Sequence, residues 1–317
     1  HDLGPARMSR PWQVWRARRH LVQVLTQSRP DIVVAHGSWC LALLGPAVRR
    51  VGIPLVYWTH DRVTEPLPFQ EKWAQRTRPD FLIANSRYTS EGQGALYSDV
   101  PSQVIYCALN PPSRSYSEAE RQAFREEQNT PPGSTVILQV SRLDPHKGHA
   151  LHLEALGRLA GLPWVAWIVA GPQRPAEQEF LASLQAQALR AGIAGQIRWL
   201  GWQKDVELVY EAADVFCQPN SGPEPFGLSF VEALWRSRPV VTTAMAGALE
   251  VLTPACGILV PPNDVTALAD ALRSLIQDAA LRERLGSAGP ARAHSLCDAG
   301  ARLAEVDACL RKVIAKS

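Results

Sequence analysis

The sequence predicts an α/β protein of two domains, each built on a parallel sheet. Short apolar runs alternate with amphipathic stretches along most of the chain, as βα units do. The alternation is interrupted over 110–133 by Pro111, Pro112, Pro131, Pro132 and a charged stretch from Glu118 to Glu127. The 317 residues suffice for two domains of ordinary size.

The first alternation places strands at 31–36, 54–60, 81–85 and 103–107, each centred on a run such as Ile32-Val33-Val34 or Leu82-Ile83. Helical patterns lie at 11–28, 39–51, 69–78 and 87–97. The interruption reads as a linker carrying one short polar helix. A second alternation then gives strands at 135–141, 165–170, 197–200, 214–218, 239–243 and 257–260. Helices fall between them and at 264–278, 279–288 and 298–315. The expected division is 1–130, 131–296 and a C-terminal helical segment, 297–317, packing back toward the first domain. Paired α/β domains of this kind hold their ligand in a cleft at the carboxyl ends of the strands.

Composition narrows the function. With 46% hydrophobic and 20% charged residues, the chain reads as a soluble globular protein. A net charge of +3 and the absence of any recognisable motif argue against nucleic acid as a partner. Cys40, Cys107, Cys217, Cys256, Cys297 and Cys309 lie singly, without zinc spacing, and read as reduced core residues of a cytoplasmic protein. No apolar run reaches the roughly 20 residues that span a bilayer. There is no Asp-x-Asp for a divalent metal, no phosphate loop of an ATPase, and no complete nicotinamide fingerprint.

Several segments could carry chemistry. Residues 140–148, Val-Ser-Arg-Leu-Asp-Pro-His-Lys-Gly, follow a strand and precede a helix. Arg142 and Lys147 there can neutralise a diphosphate beside a helix N-terminus, or can simply be solvated loop cations. Residues 222–232 run from a Pro/Gly loop into a helix. Glu224 precedes the helix and Glu232 lies on its second turn, so both can accept hydrogen bonds from sugar and ribose hydroxyls. The N–H groups of Gly227, Leu228 and Ser229 at the helix start can hold a phosphate. Gly247 would let backbone approach a ligand, and Glu250 is either a ligand contact or a first-turn acid. His60 and His36 end two strands of the first domain and face the cleft or serve structure. A basic, Trp-bearing helix over 7–19, with Arg10, Trp12, Trp15, Arg16, Arg18 and Arg19, can lie on an anionic membrane, or be a solvated helix with its Trp packed on the sheet.

Together these motifs resemble the retaining glycosyltransferases of family 4, with the GT-B fold of two Rossmann-like domains. The resemblance covers the second domain through 140–148, 167–171, 197–202, 210–216, 224–234 and 257–264. It is weaker in the first, at 31–36, 53–61, 83–86 and 104–110. It implies that Arg142 and Lys147 hold the diphosphate of a UDP- or GDP-linked sugar, that Glu232 binds the ribose, and that Glu224 contacts the transferred sugar. It further implies that backbone at Gly227, Leu228 and Ser229 touches phosphate and that His60 lies near the reacting sugar. No cofactor or metal is implied. The acceptor would be a glycan or a lipid-linked molecule, reached from the inner face of the membrane.

One departure stands out. Members of the family open with a strand and a glycine-rich loop, whereas this chain opens on a helical pattern. Roughly 80 residues are expected to be missing, by the length of typical βα units, and the piece alone is expected to be weakly active or inactive. The alternatives are a non-catalytic nucleotide-sugar-binding scaffold and a sugar-nucleotide epimerase, which would need acid and base side chains around the sugar.

Overall fold

The computed structural model describes residues 1–316, which form two compact units. One holds His1–Ala108 together with the chain from Ala299 onward; the other is Leu109–Asp298.

In the first unit α1 (Pro11–Ser28), β1 (Val33–His36), α2 (Gly37–Val51), β2 (Leu55–Thr59), α3 (Phe69–Ala74), β3 (Phe81–Ala84), α4 (Arg87–Ser90) and β4 (Ser102–Val104) follow one another. The strands form a parallel sheet in the order β1-β2-β3-β4. α1 begins on Pro11, whose fixed φ suits a first helical turn. It buries Val14, Ala17 and Leu25 and leaves Trp12 and Trp15 64% and 62% exposed, so these tryptophans do not pack on the sheet. Pro46 inside α2 cannot donate to the carbonyl of Ala42. Arg18 of α1 fills that gap, donating from Nη2 to Ala42 O (3.1 Å) and from Nε to Leu43 O (2.6 Å).

In the first unit α3, α4 and β4 end well before the sequence pattern predicts. α3 stops at Ala74, and the Tyr97 hydroxyl lies 2.7 Å from Ala74 O and 2.8 Å from Thr77 O, where further helical donors would sit. α4 gives way to a separate 3₁₀ turn, Gln93–Ala95. β4 ends at Val104, because β3 offers no paired residue beyond Ala84.

The second unit contains α5 (Glu118–Glu127), β5 (Thr135–Val140), α6 (His149–Gly157), β6 (Trp164–Val169), α7 (Pro175–Arg190), β7 (Ile197–Trp199), α8 (Val206–Ala212) and β8 (Val215–Gln218). It continues with α9 (Leu228–Trp235), β9 (Val240–Thr243), α10 (Ala248–Val251), β10 (Gly257–Val260), α11 (Val265–Gln277), α12 (Ala279–Ser287) and α13 (Gly289–Cys297). Its six parallel strands run β10-β9-β8-β5-β6-β7. From β5 the chain builds outward through β6 and β7, then returns to the other side of β5 with β8. The crevice at the carboxyl ends of β5 and β8 is therefore the topological switch point, where open α/β sheets bind ligands. Side-chain caps set the helix starts: Ser117 and Glu120 form a capping box on α5, and Asp205, Asp264 and Asp278 cap α8, α11 and α12. No helix is expected over 289–297, yet α13 forms there, with Pro290 in its first turn. The last helix, α14 (Ala299–Ile314), contributes Cys309 and Val313 to a cluster with Val56, Ile83 and Ile105 of the first unit. Cys217, Cys256, Cys297 and Cys309 are buried, whereas Cys40 is exposed on α2, contrary to its reading as a core residue.

The units divide after Ala108 rather than near residue 130. The reason lies in polar anchors that bind the linker to the second unit. Tyr116 N–H donates to Glu211 (2.9 Å) and its hydroxyl to Asp205 (2.6 Å), and Ser113 Oγ donates to Glu207 (2.8 Å). Arg236, its side chain only 4% exposed, pairs with Glu211 and Glu207 and donates to Arg114 O. Arg125 reaches Asp214 (2.8 Å), which also receives the N–H of Val136 (2.7 Å). Arg236→Met should cost about 3 kcal/mol in denaturant-induced unfolding, since it leaves the buried Glu211 carboxylate without a cation, only the Tyr116 N–H still donating to it. A loss below 1 kcal/mol would contradict this account of the linker.

Candidate donor-binding site

Two loops meet at the switch point. The first leaves β5 at Val140 and turns through a 3₁₀ segment, Pro145–Lys147, before α6. Asp144 caps that segment by accepting from His146 N–H (2.9 Å) and lies 3.8 Å from the Arg142 guanidinium, which is otherwise exposed. The second loop leaves β8 and runs to α9. They are stitched together: Ser221 donates from N to His146 O (3.0 Å) and from Oγ to Pro145 O (2.9 Å). Gly148 closes the approach. Its φ is +71°, and a Cβ there would fall 1.7 Å from Pro219 O, so only glycine fits.

This stitching brings Lys147 Nζ onto Glu224 Oε2, an ion pair whose side chains are 20% and 14% exposed. The sequence separation of the two residues gives no sign of contact. Glu224 is held from behind, its carbonyl accepting from Gly247 N–H (2.9 Å). Gly247 does allow close backbone approach, but to this loop: a Cβ would meet Pro225 O at 2.5 Å. Its expected approach to a ligand is thus replaced by an approach to protein backbone. Glu250 sits in the first turn of α10.

α9 starts from Gly227, whose φ of +96° places it in the left-handed region. A side chain there would strike the Phe230 ring. Leu228 and Ser229 therefore head the helix, and their N–H groups have no acceptor a turn earlier. Ser229 Oγ donates to Gln218 Oε1 (3.3 Å). Glu232, one turn on, accepts from the Tyr210 hydroxyl (2.9 Å) and lines a small cavity with Asn110, Pro112, Tyr210 and Trp235. Burial raises the Glu232 pKa, the Tyr210 hydrogen bond opposes that rise, and the nearby Glu207 charge adds to it. Sequence reasoning gave Tyr210 no role at the site; it entered only as the first residue of the 210–216 segment.

In the first unit, His36 and His60 close neighbouring parallel strands and meet: His36 Nδ1 lies 2.9 Å from His60 Nε2. One ring donates and the other accepts. The rings stack with Trp58, at centroid separations of 5.1 Å (His36–Trp58) and 6.1 Å (Trp58–His60). Burial, then the His36 charge, lowers the His60 pKa, with Asp61 opposing. The sequence marked these as two isolated strand ends; the structure makes them a pair.

Residues 120–292 match the family described as Glycosyl transferases group 1, and residues 2–111 match Glycosyltransferase Family 4. The chain is 37% identical over 161 residues to the phosphatidyl-myo-inositol mannosyltransferase of Mycobacterium leprae, covering 50% of this chain and 41% of that one. It is 28% identical over 218 residues to the lipopolysaccharide core biosynthesis mannosyltransferase LpsB of Rhizobium meliloti, covering 67% and 58%. The chain spans about half the length of the curated relatives it matches. Among solved structures it resembles Anabaena Alr3699/HepE in complex with UDP-glucose (TM-score 0.86, 24% identity, 94% of this chain and 82% of that). It also resembles a glycosyltransferase from Rickettsia africae (TM-score 0.85, 18% identity, 99% and 85%). At these identities the likeness speaks for the fold, two Rossmann-like units of the GT-B kind. With one family description covering more than half of its residues, the chain belongs to the glycosyl transferases group 1, family 4 glycosyltransferases.

Proposed function

We propose that this protein moves a sugar from a UDP- or GDP-linked donor to an acceptor hydroxyl with retention of anomeric configuration. The observation that carries this reading is the Lys147–Glu224 pair at the switch point, beside the open start of α9. In this reading the donor diphosphate takes Lys147 from Glu224, with Arg142 and the N–H groups of Leu228 and Ser229 completing the anion site. Glu224, released, accepts from hydroxyls of the transferred sugar. Glu232, oriented by Tyr210, accepts from the ribose. The acceptor oxygen bonds to the anomeric carbon on the face from which the diphosphate departs, and its proton passes to the departing phosphate oxygen. The protein's work is positioning and stabilisation of the leaving group's charge, with Lys147 and Arg142 as the cations. His60 is assigned to the reacting sugar by family resemblance. The named relatives support a sugar nucleotide donor and a glycolipid or lipopolysaccharide acceptor.

The exposed face of α1 supports a membrane-bound acceptor. Trp12, Trp15, Arg16 and Arg19 share it, and no acid lies between Asp2 and Asp31. No helix among the described residues is long and apolar enough to cross a membrane. We infer that this face rests on an anionic bilayer.

Lys147→Ala should lower kcat/KM for the donor by about a hundredfold, the loss of one charge-assisted contact to the leaving group; near-parental turnover would remove the diphosphate assignment. Donor KM should rise as pH falls through the raised Glu232 pKa, because the protonated acid no longer accepts from both ribose hydroxyls. Tyr210→Phe removes the bond that holds the carboxylate charged, so it should move that acid limb to higher pH; an unmoved limb would dissociate Glu232 from donor binding. Finally, Trp12→Ala with Trp15→Ala should weaken cosedimentation with phosphatidylglycerol vesicles by roughly tenfold, and unchanged binding would exclude this face as the contact.

A further inference from the structure

Beneath the Arg142–Lys147 loop lies a set of buried polar side chains that the proposed chemistry does not use. Gln139 is fully buried on the central strand β5. Its Nε2 donates to the carbonyl of Lys147 (2.9 Å), and its Oε1 faces His152 Nδ1 of α6 at 2.8 Å. These contacts fix both groups. The amide must turn its NH₂ toward the Lys147 carbonyl, so its oxygen accepts from a proton on His152 Nδ1. His152 Nε2 is then a bare nitrogen, buried and without a hydrogen-bond partner. At the loop's other end, His149 Nε2 lies 3.1 Å from the Arg142 carbonyl and 3.0 Å from Ser141 Oγ. Since the carbonyl can only accept, Nε2 carries the proton, and the buried Nδ1 has no partner either. Burial lowers both histidine pKa values, that of His152 to about 3, so both rings are neutral around neutral pH.

Such an arrangement is a poor way to stabilise a core. A buried polar atom left unpaired is costly, whereas an apolar pair of similar shape at the same positions is close to neutral or better. What the side chains do achieve is geometric. One pins the backbone at Lys147, the other at Arg142. We propose that Gln139 and His149 are positioning residues that hold Lys147 and Arg142 for an incoming nucleoside diphosphate, with His152 setting the orientation of the Gln139 amide. The inference rests on the diphosphate reading above and adds to it the groups that preset the loop.

The test uses the full chain and measures the thermal midpoint and the calorimetric affinity for UDP and for GDP. In the Gln139→Leu/His152→Leu variant the midpoint should hold or rise, while affinity for the bound diphosphate falls about tenfold. Adding Lys147→Ala to that variant should cost less than Lys147→Ala costs in the parent, because a mispositioned lysine has less to lose. Parental affinity in the double variant overturns the proposal, as does a fully additive loss. Should the double variant unfold, Gln139→Glu carries the same expectation, since it still faces His152 but brings no NH₂ to the Lys147 carbonyl; parental affinity there overturns it too. Failure of the parent chain to bind either diphosphate would sink the underlying reading and this inference with it. A parent that binds beside an unaffected Gln139 variant sinks the inference alone.

Discussion

The contact between Lys147 and Glu224 organises the second unit's ligand-facing surface. A lysine ammonium and a carboxylate, each mostly withdrawn from water, face one another where the sheet's strand order reverses. Each desolvated charge needs a partner, and in the free protein each supplies the other's. The pair thus keeps a cation in reserve at the switch point without leaving it uncompensated. Everything that brings the two loops together serves this contact. Ser221 bonds across to Pro145 and His146, Gly148 passes under Pro219, and Gly247 supports the Glu224 backbone.

The same logic connects the remaining parts. Gly227 starts α9 in a left-handed conformation, which leaves Leu228 and Ser229 at the head of the helix while Phe230 fills the space a side chain would have taken. Glu232 then falls one turn along, where burial and the Tyr210 hydroxyl act on it in opposite senses. The linker segment is bound to this unit through Tyr116, Arg125 and Arg236 and carries Asn110 and Pro112 to the cavity beside Glu232.

Much of this was legible in the sequence, for identifiable reasons. Central strands such as β5 and β8 are buried on both faces, so they read as continuous apolar runs with sharp ends. Their loops carry Arg142, Lys147 and Glu224 in a setting of Pro and Gly that fixes them at strand ends. What stayed hidden depends on tertiary contact. Tyr210 looks like one apolar residue of a helix, and Gln139 like a polar exception in a strand. Neither spacing nor composition joins them to Glu232 or Lys147. His36 and His60 were visible singly, but their pairing follows from the parallel register of β1 on β2. Boundaries failed where side chains replace backbone donors, as Tyr97 does at the end of α3, and the division of the units shifted because polar anchors outweigh a proline-rich composition.

The central claim is that Lys147 and Glu224 hold each other until a diphosphate takes the lysine. Calorimetric affinity for a nucleoside diphosphate, compared between Lys147→Gln and Glu224→Gln, tests it most directly. Both substitutions break the same ion pair, yet the account predicts opposite effects: weaker binding without the cation, stronger binding without its competitor. Changes of the same sign, or none in either variant, would contradict it.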